Sequence, residues 1–139
     1  MRSERAPTTI LVVEDEAIVR DCLVTELQDA GYQVVAADTG EKVLAVLRDT
    51  ARNIGWLFTD ICLLGVIDGW RVADEFRLTH PFRPVVYATA YAPEQARQQL
   101  HGSYFFRKPY RPEQIVAAFR RLSTDMPAGP GGAEVWPAA

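Results

Sequence analysis

The sequence predicts a doubly wound α/β fold, in which helices cover both faces of a five-stranded parallel sheet. Short runs rich in β-branched and aromatic residues alternate five times with stretches of helical periodicity. These runs are nearly continuous in apolar residues, which is typical of strands buried on both faces of a parallel sheet. A chain of 139 residues has room for one such domain.

The strands are predicted from their composition and from the residues around them. The first is the apolar run TILVV, and a glycine or proline lies within two residues before each of the other four. The expected strands are residues 9–13, 32–37, 56–59, 85–88 and 104–106.

The helices are predicted from apolar residues spaced three or four apart. In the first helix these are Val19, Leu23 and Leu27, and Gly31 follows as a suitable end. Pro112 suits the first turn of the last helix, and the fourth helix is expected to be short. The expected helices are residues 16–30, 39–48, 69–78, 93–100 and 112–122.

Composition divides the chain into a domain at residues 8–123, a flexible N-terminus at 1–7 and a tail at 124–139. The tail is rich in proline, glycine and alanine, and we expect it to be disordered. With no apolar run suited to export or to a membrane span, a cytoplasmic location is expected. The net charge of −3 argues against a sequence-independent nucleic-acid binder.

Polar residues follow four of the predicted strands at the point where each strand ends. They are Glu14 and Asp15, then Asp60, Thr89 and Lys108. Ligands bind outside the carboxyl ends of the strands in open parallel sheets, at the point where the strand order reverses. We therefore expect these five side chains to form one polar pocket.

The flavodoxin-like strand order 2-1-3-4-5 would place Glu14 and Asp15 beside Asp60. Carboxylates about 5 Å apart repel by roughly 3 kcal/mol per pair at an effective dielectric near 20, so a divalent cation is expected among them. Oxygen ligands favour Mg²⁺ over a softer metal. With Thr89 and Lys108 placed to hold phosphoryl oxygens, the set describes aspartyl-phosphate chemistry.

With these residues in this order, the sequence resembles the receiver domains of bacterial two-component response regulators. The matching stretches are ILVVEDE, LFTDICL, IDGW, VVYATAY and FFRKPY, spread over residues 8–122. Each stretch is a weak signal alone. Their order, and their placement at four successive sites on a fivefold βα pattern, make a chance match improbable, and the resemblance is to the chemotaxis-regulator-like, single-domain type.

The resemblance implies a role for each acid of the pocket. Asp60 matches the phosphoacceptor, Asp15 the acid that binds Mg²⁺ directly, and Glu14 the acid that acts through a metal-bound water. The backbone carbonyl of Cys62 matches the remaining protein ligand of the metal. The phosphoryl group would come from a sensor histidine kinase, a histidine phosphotransfer protein or a small donor such as acetyl phosphate.

The resemblance also implies a switch. Thr89 matches the hydroxyl that moves to the phosphoryl group, Phe105 the rotating aromatic, and Lys108 the family's lysine, followed by a cis bond to Pro109. Such a domain is a phosphoacceptor switch and not an enzyme, with at most self-phosphorylation and autodephosphorylation. Only a short tail follows residue 122, so we expect output through an unidentified protein partner, without direct DNA or membrane binding.

The chain departs from the family pattern in the loop after Asp60. Leu64 replaces the usual proline, and Asp68–Gly69 comes one residue late, so this loop is longer. The segment between Thr89 and Lys108 is short, which agrees with a short fourth helix.

Three alternative functions compete with a phosphorylated receiver. A haloacid-dehalogenase-type enzyme needs a second aspartate two residues after the nucleophile, where this chain has Cys62. A flavodoxin-type cofactor site is disfavoured because three acids repel a phosphate without a metal. A receiver-like interaction module that acts without phosphorylation stays open, because the loop at Leu64 is altered.

Overall fold

One sheet and four helices form the described part of the chain, which is residues 9–49, 53–90, 103–125 and 134–135 of a computed structural model. The strands are β1 Thr9–Val13, β2 Gln33–Ala37, β3 Trp56–Asp60, β4 Val86–Thr89, β5 Tyr104–Arg107 and β6 Glu134–Val135. The helices are α1 Ala17–Asp29, α2 Gly40–Arg48, α3 Gly69–Phe76 and α4 Pro112–Asp125.

All strand pairs are parallel, and the order in the sheet is β2-β1-β3-β4-β5-β6. The predicted order 2-1-3-4-5 is therefore confirmed. The order reverses between β1 and β3, where Val13 lies opposite Thr59. This register brings the residues that follow β1 next to Asp60 at the end of β3.

Both faces of the central strands β1, β3 and β4 are buried, which explains their continuous apolar runs in the sequence. In β1, Ile10 and Val12 belong to the core under α1 and α4, whereas Leu11 and Val13 belong to the core under α2 and α3. Alternate side chains of a strand point to opposite faces, so a strand between two helical layers favours apolar side chains on both. Polar residues are therefore concentrated beyond the strand ends.

The sixth strand was not predicted from the sequence. Tyr104 and Phe105 of β5 pair with Glu134 and Val135, within the tail that was expected to lack regular structure. Without this partner β5 would present unpaired N–H and C=O groups at the sheet edge. A two-residue strand carries no periodic pattern, so composition alone could not indicate it.

Some predictions concern residues outside the described ranges. The short helix at residues 93–100 is one of them, as are the N-terminal segment 1–7 and most of the tail. Where elements are described, their ends differ from the predicted ends by at most three residues. No helix in the described ranges is long and apolar enough to cross a membrane.

Candidate functional site

The carboxyl ends of the central strands bring the predicted acids together. Glu14 and Asp15 follow β1, and Asp60 is the last residue of β3. Ligand oxygens of these three carboxylates lie within 4.8 Å of one another. Thr89 ends β4 and Lys108 directly follows β5, so all five predicted side chains belong to the same end of the sheet.

Lys108 joins the acids through its ammonium group. Its Nζ donates to Asp60 Oδ2 at 2.6 Å and to Glu14 Oε2 at 3.3 Å, and lies 3.9 Å from Glu16 Oε1. The Lys108 backbone N–H donates to the Thr89 carbonyl at 2.8 Å, which continues the pairing of β4 with β5. The bond from Lys108 to Pro109 is cis, as the resemblance implied.

Burial dominates the electrostatics of the acids. Glu14 has no exposed surface and Asp60 is 3% exposed. Burial, together with the charge of Asp60, raises the pKa of Glu14, and burial raises the pKa of Asp60 more than Lys108 lowers it. Burial also lowers the pKa of Lys108, but Asp60 and Glu14 outweigh this effect and raise it overall. The described site therefore places three acidic side chains around one lysine, in surroundings that disfavour unpaired carboxylate charge.

The end of β3 is held by backbone hydrogen bonds. The Cys62 N–H donates to Asp60 Oδ1 at 3.3 Å, so the residue whose carbonyl was predicted as a metal ligand belongs to the turn around the Asp60 side chain. Ile61 N–H donates to the Ala88 carbonyl at 2.9 Å, and Gly69 N–H donates to the Ile61 carbonyl at 2.8 Å. These bonds join β3, β4 and the start of α3 at Asp60.

The altered loop after Asp60 contacts the acid cluster. The Leu64 N–H donates to Asp15 Oδ2 at 3.2 Å, a hydrogen bond that the usual proline could not make. Gly65 follows with φ of +99°, a conformation that favours glycine. The departure at Leu64 thus adds a donor to one of the predicted metal-binding acids.

Phe105 lies inward in an aromatic cluster that the sequence did not indicate. It is 2% exposed and stacks on Tyr87, with ring centroids 4.8 Å apart and planes at 9°. Trp70 of α3 lies 5.1 Å from Tyr87 and 6.2 Å from Phe105. Tyr87 precedes Thr89 by two residues, so both side chains lie on the same face of the sheet. This spacing is the sequence signal that could have linked Tyr87 to the predicted switch.

Tyr110 is a further site residue that the sequence did not indicate. Its hydroxyl donates to Glu14 Oε1 at 3.2 Å, and its ring lies edge-on to Phe58 at 5.5 Å. Burial and the Glu14 charge raise the pKa of Tyr110, so the hydroxyl keeps its proton. Tyr110 is the last residue of the stretch FFRKPY. Its sequence neighbours do not indicate a contact with Glu14, which follows β1.

The raised pKa values predict a pH dependence of stability in the absence of divalent cations. The ordinary values are 4.5 for Glu14 and 3.8 for Asp60, and both are raised in the folded state. Between each ordinary value and its raised value the folded state binds more protons, so stability falls as pH rises through that interval. Urea unfolding in EDTA at about pH 4 and about pH 7.5 should show this loss, and Mg²⁺ should reverse it at the higher pH.

The contribution that depends on Asp60, including its effect on the pKa of Glu14, is obtained by comparison with Asp60→Asn, so that titrating groups away from the site cancel. The variant should lose less stability than the wild type between the two pH values. An equal or larger loss in the variant would contradict the assignment of the pH dependence to this carboxyl.

Known proteins resemble the chain over almost all of its described length. The family model of the response regulator receiver domain matches residues 10–120. A probable transcriptional regulatory protein of Picosynechococcus is 30% identical over 120 residues, covering 81% of this chain and 48% of that protein. The sensor kinase CckA of Brucella abortus is 27% identical over 117 residues, covering 82% of this chain and 12% of that protein.

Solved structures agree with these relatives. A response regulator receiver protein from Sinorhizobium medicae is 32% identical and superposes with a TM-score of 0.77, covering 86% of this chain and 96% of that one. The chain spans about half the length of the first curated relatives that it matches. Strand order, the acids at the strand ends and the match over residues 10–120 agree: the chain belongs to the receiver domain family of two-component response regulators.

Proposed function

We propose that this domain is a switch operated by Mg²⁺-dependent phosphorylation of Asp60. The observation that carries the proposal is the position of the Lys108 ammonium, 2.6 Å from the Asp60 carboxylate within the acid cluster. A nucleophilic carboxylate beside a fixed cation is suited to accept a phosphoryl group, because the cation offsets charge on the incoming oxygens.

The residues present fit a magnesium site. The cluster has three carboxylates within 4.8 Å of one another, and Lys108 contacts two of them, Glu14 and Asp60, so a second cation would find acidic ligands there. Glu14, Asp15, Asp60 and the Cys62 carbonyl would hold the ion, and all of them offer oxygen, the ligand that Mg²⁺ prefers. When bound, Mg²⁺ would supply charge neutralisation to a phosphoryl group approaching Asp60.

The transfer itself uses groups of this chain. A carboxylate oxygen of Asp60 forms a bond to phosphorus while the P–N bond of a phosphohistidine breaks, and the imidazole keeps the electron pair of that bond. Lys108 supplies a countercharge beside the new acyl phosphate, and the Thr89 hydroxyl binds a phosphoryl oxygen. Movement of Thr89 toward that oxygen changes the face on which Tyr87 and Phe105 stack.

The partners that we propose are a sensor histidine kinase or a histidine phosphotransfer protein, and an output protein that recognises the altered face. Exposed apolar side chains follow Asp15 and Asp60 in the sequence and offer a contact surface for a donor protein, namely Ile18 in α1 and Leu64 and Val66 in the loop after Asp60. It stays a prediction that the domain is a phosphoacceptor and not an enzyme. A cytoplasmic location and the absence of direct DNA binding also stay predictions.

One observation favours a second candidate, an interaction module that acts without phosphorylation. The Leu64 N–H already occupies an oxygen of Asp15, which was predicted to bind Mg²⁺ directly. If this hydrogen bond remains when Mg²⁺ is present, the loop keeps Asp15 in its metal-free position. Phosphorylation and metal binding therefore have to be measured directly.

The test is intact mass after incubation with acetyl phosphate. We expect one phosphoryl increment with Mg²⁺ and none with EDTA, because the uncompensated acids repel the donor. Borohydride reduction followed by peptide mapping should locate the acyl phosphate at Asp60. If no increment forms, and beryllofluoride with Mg²⁺ leaves the amide NMR spectrum unchanged, the module that acts without phosphorylation replaces this proposal.

A further inference from the structure

The Glu14 carboxylate is fully buried and receives hydrogen bonds on both oxygens. Oε2 accepts from Lys108 Nζ and from the Glu16 N–H, each at 3.3 Å. Within the described residues, the hydrogen bond to Oε1 comes from the Tyr110 hydroxyl at 3.2 Å. A buried carboxylate that loses a donor must change its orientation, its protonation or its hydration.

Tyr110 is itself fixed by packing that does not depend on Glu14. Its ring lies edge-on to Phe58, at 5.5 Å and 68°, and contacts the core beneath α1 and α4. Phe58 precedes Asp60 by two residues on β3. The core therefore sets the position of the ring, and the ring carries the hydroxyl to Glu14.

We propose that Tyr110 is a positioning residue for the metal site, where its hydroxyl holds Glu14 in the orientation that the cation requires. The inference rests on the proposed function. Lys108 cannot do this alone, because its Nζ lies closer to Asp60, at 2.6 Å, than to Glu14, at 3.3 Å. A phosphoryl group on Asp60 would compete for that ammonium, whereas the Tyr110 hydroxyl would stay on Oε1.

A purely structural role is the competing explanation, because a tyrosine ring against a hydrophobic core contributes packing whatever its hydroxyl does. Tyr110→Phe separates the two roles, since it keeps the ring and removes the hydroxyl. Tyr32→Phe is the matched control. Tyr32 precedes β2 at the opposite end of the sheet and packs its ring on Phe119 at 6.4 Å.

The experiment is Mg²⁺ titration of the full chain, followed by the amide NMR shifts of Asp60, Cys62 and Leu64. Donors to metal-binding side chains orient those side chains, and the loss of one hydrogen bond from a hydroxyl to a carboxylate predicts that Tyr110→Phe raises the Kd for Mg²⁺ about tenfold or more. Tyr32→Phe should leave this Kd unchanged. Before Mg²⁺ is added, the Glu16 amide shift should move in Tyr110→Phe, because that amide donates to the Glu14 carboxylate.

A Kd within twofold of the wild-type value in Tyr110→Phe would overturn the inference, even if urea unfolding showed a loss of stability. That result would leave Tyr110 with a packing role and the proposed function intact. If the wild type bound no Mg²⁺, the inference and the metal dependence in the proposed function would both fail. The two failures are therefore distinguishable.

Discussion

Asp60→Asn is expected to abolish phosphorylation of this domain by acetyl phosphate in the presence of Mg²⁺. The amide has nearly the shape of the carboxylate but lacks its charge and its nucleophilic oxygen, so we expect a loss of at least about 10³-fold. The variant also removes the charge that Lys108 contacts at 2.6 Å. Intact mass spectrometry over a time course measures the loss.

Asp68→Asn is the matched control, because it makes the same chemical change at the end of the loop that follows Asp60. Asp68 accepts from the Arg71 N–H at 3.0 Å at the start of α3, and asparagine caps helices equally well. This variant should be phosphorylated at the wild-type rate. A phosphoryl increment in Asp60→Asn would place the phosphoacceptor on another residue, and loss of the increment in both variants would show that the effect is not specific to Asp60.

Gly69→Ala is expected to have the largest effect on stability. A Cβ at this position would lie 2.2 Å from the Asp60 carbonyl oxygen and 2.7 Å from the Ile61 Cα. Both atoms belong to the backbone at the buried end of β3. Because the Gly69 N–H donates to the Ile61 carbonyl, α3 and β3 cannot move apart without breaking this hydrogen bond. We expect a loss of about 3 kcal/mol or more in the free energy of unfolding, measured in urea.

Gly31→Ala is the comparison that separates steric overlap from backbone strain. Gly31 has φ of +101°, but nothing lies within 4 Å of the position that a Cβ would occupy. Alanine there should cost about 1 kcal/mol from the left-handed conformation alone. Phosphorylation should be retained in Gly31→Ala and impaired in Gly69→Ala, since only Gly69 contacts the Asp60 backbone. Equal losses of stability would contradict the close approach at Gly69.

The strand ends illustrate why much of the site could be predicted from sequence. A strand covered on both faces is mostly apolar along its length, so a carboxylate or ammonium that follows such a run marks the edge of the sheet. For Glu14, Asp60 and Lys108 this was sufficient, because the parallel order brings the carboxyl ends of neighbouring strands together. The roles assigned to them still depend on the family resemblance and on the experiments described above.

Contacts between distant segments could not be predicted in the same way. Glu14 and Tyr110 are 96 positions apart, Asp15 and Leu64 are 49 apart, and neither hydrogen bond leaves a periodic trace in the sequence. Nothing in the sequence around Trp70 indicates that its ring lies 6.2 Å from that of Phe105.

The sequence by itself determined the fold class and the acids at the strand ends, because burial imposes a repeating pattern on local residues, and the strand order followed from the fold class. Only the tertiary structure decided which donors hold those acids, how closely Gly69 approaches Asp60 and which aromatic rings surround Phe105. Those features depend on distances of a few ångströms between side chains and backbone from separate elements. Local periodicity records which face of an element is buried, and it contains no information about the atoms on the other side of the contact.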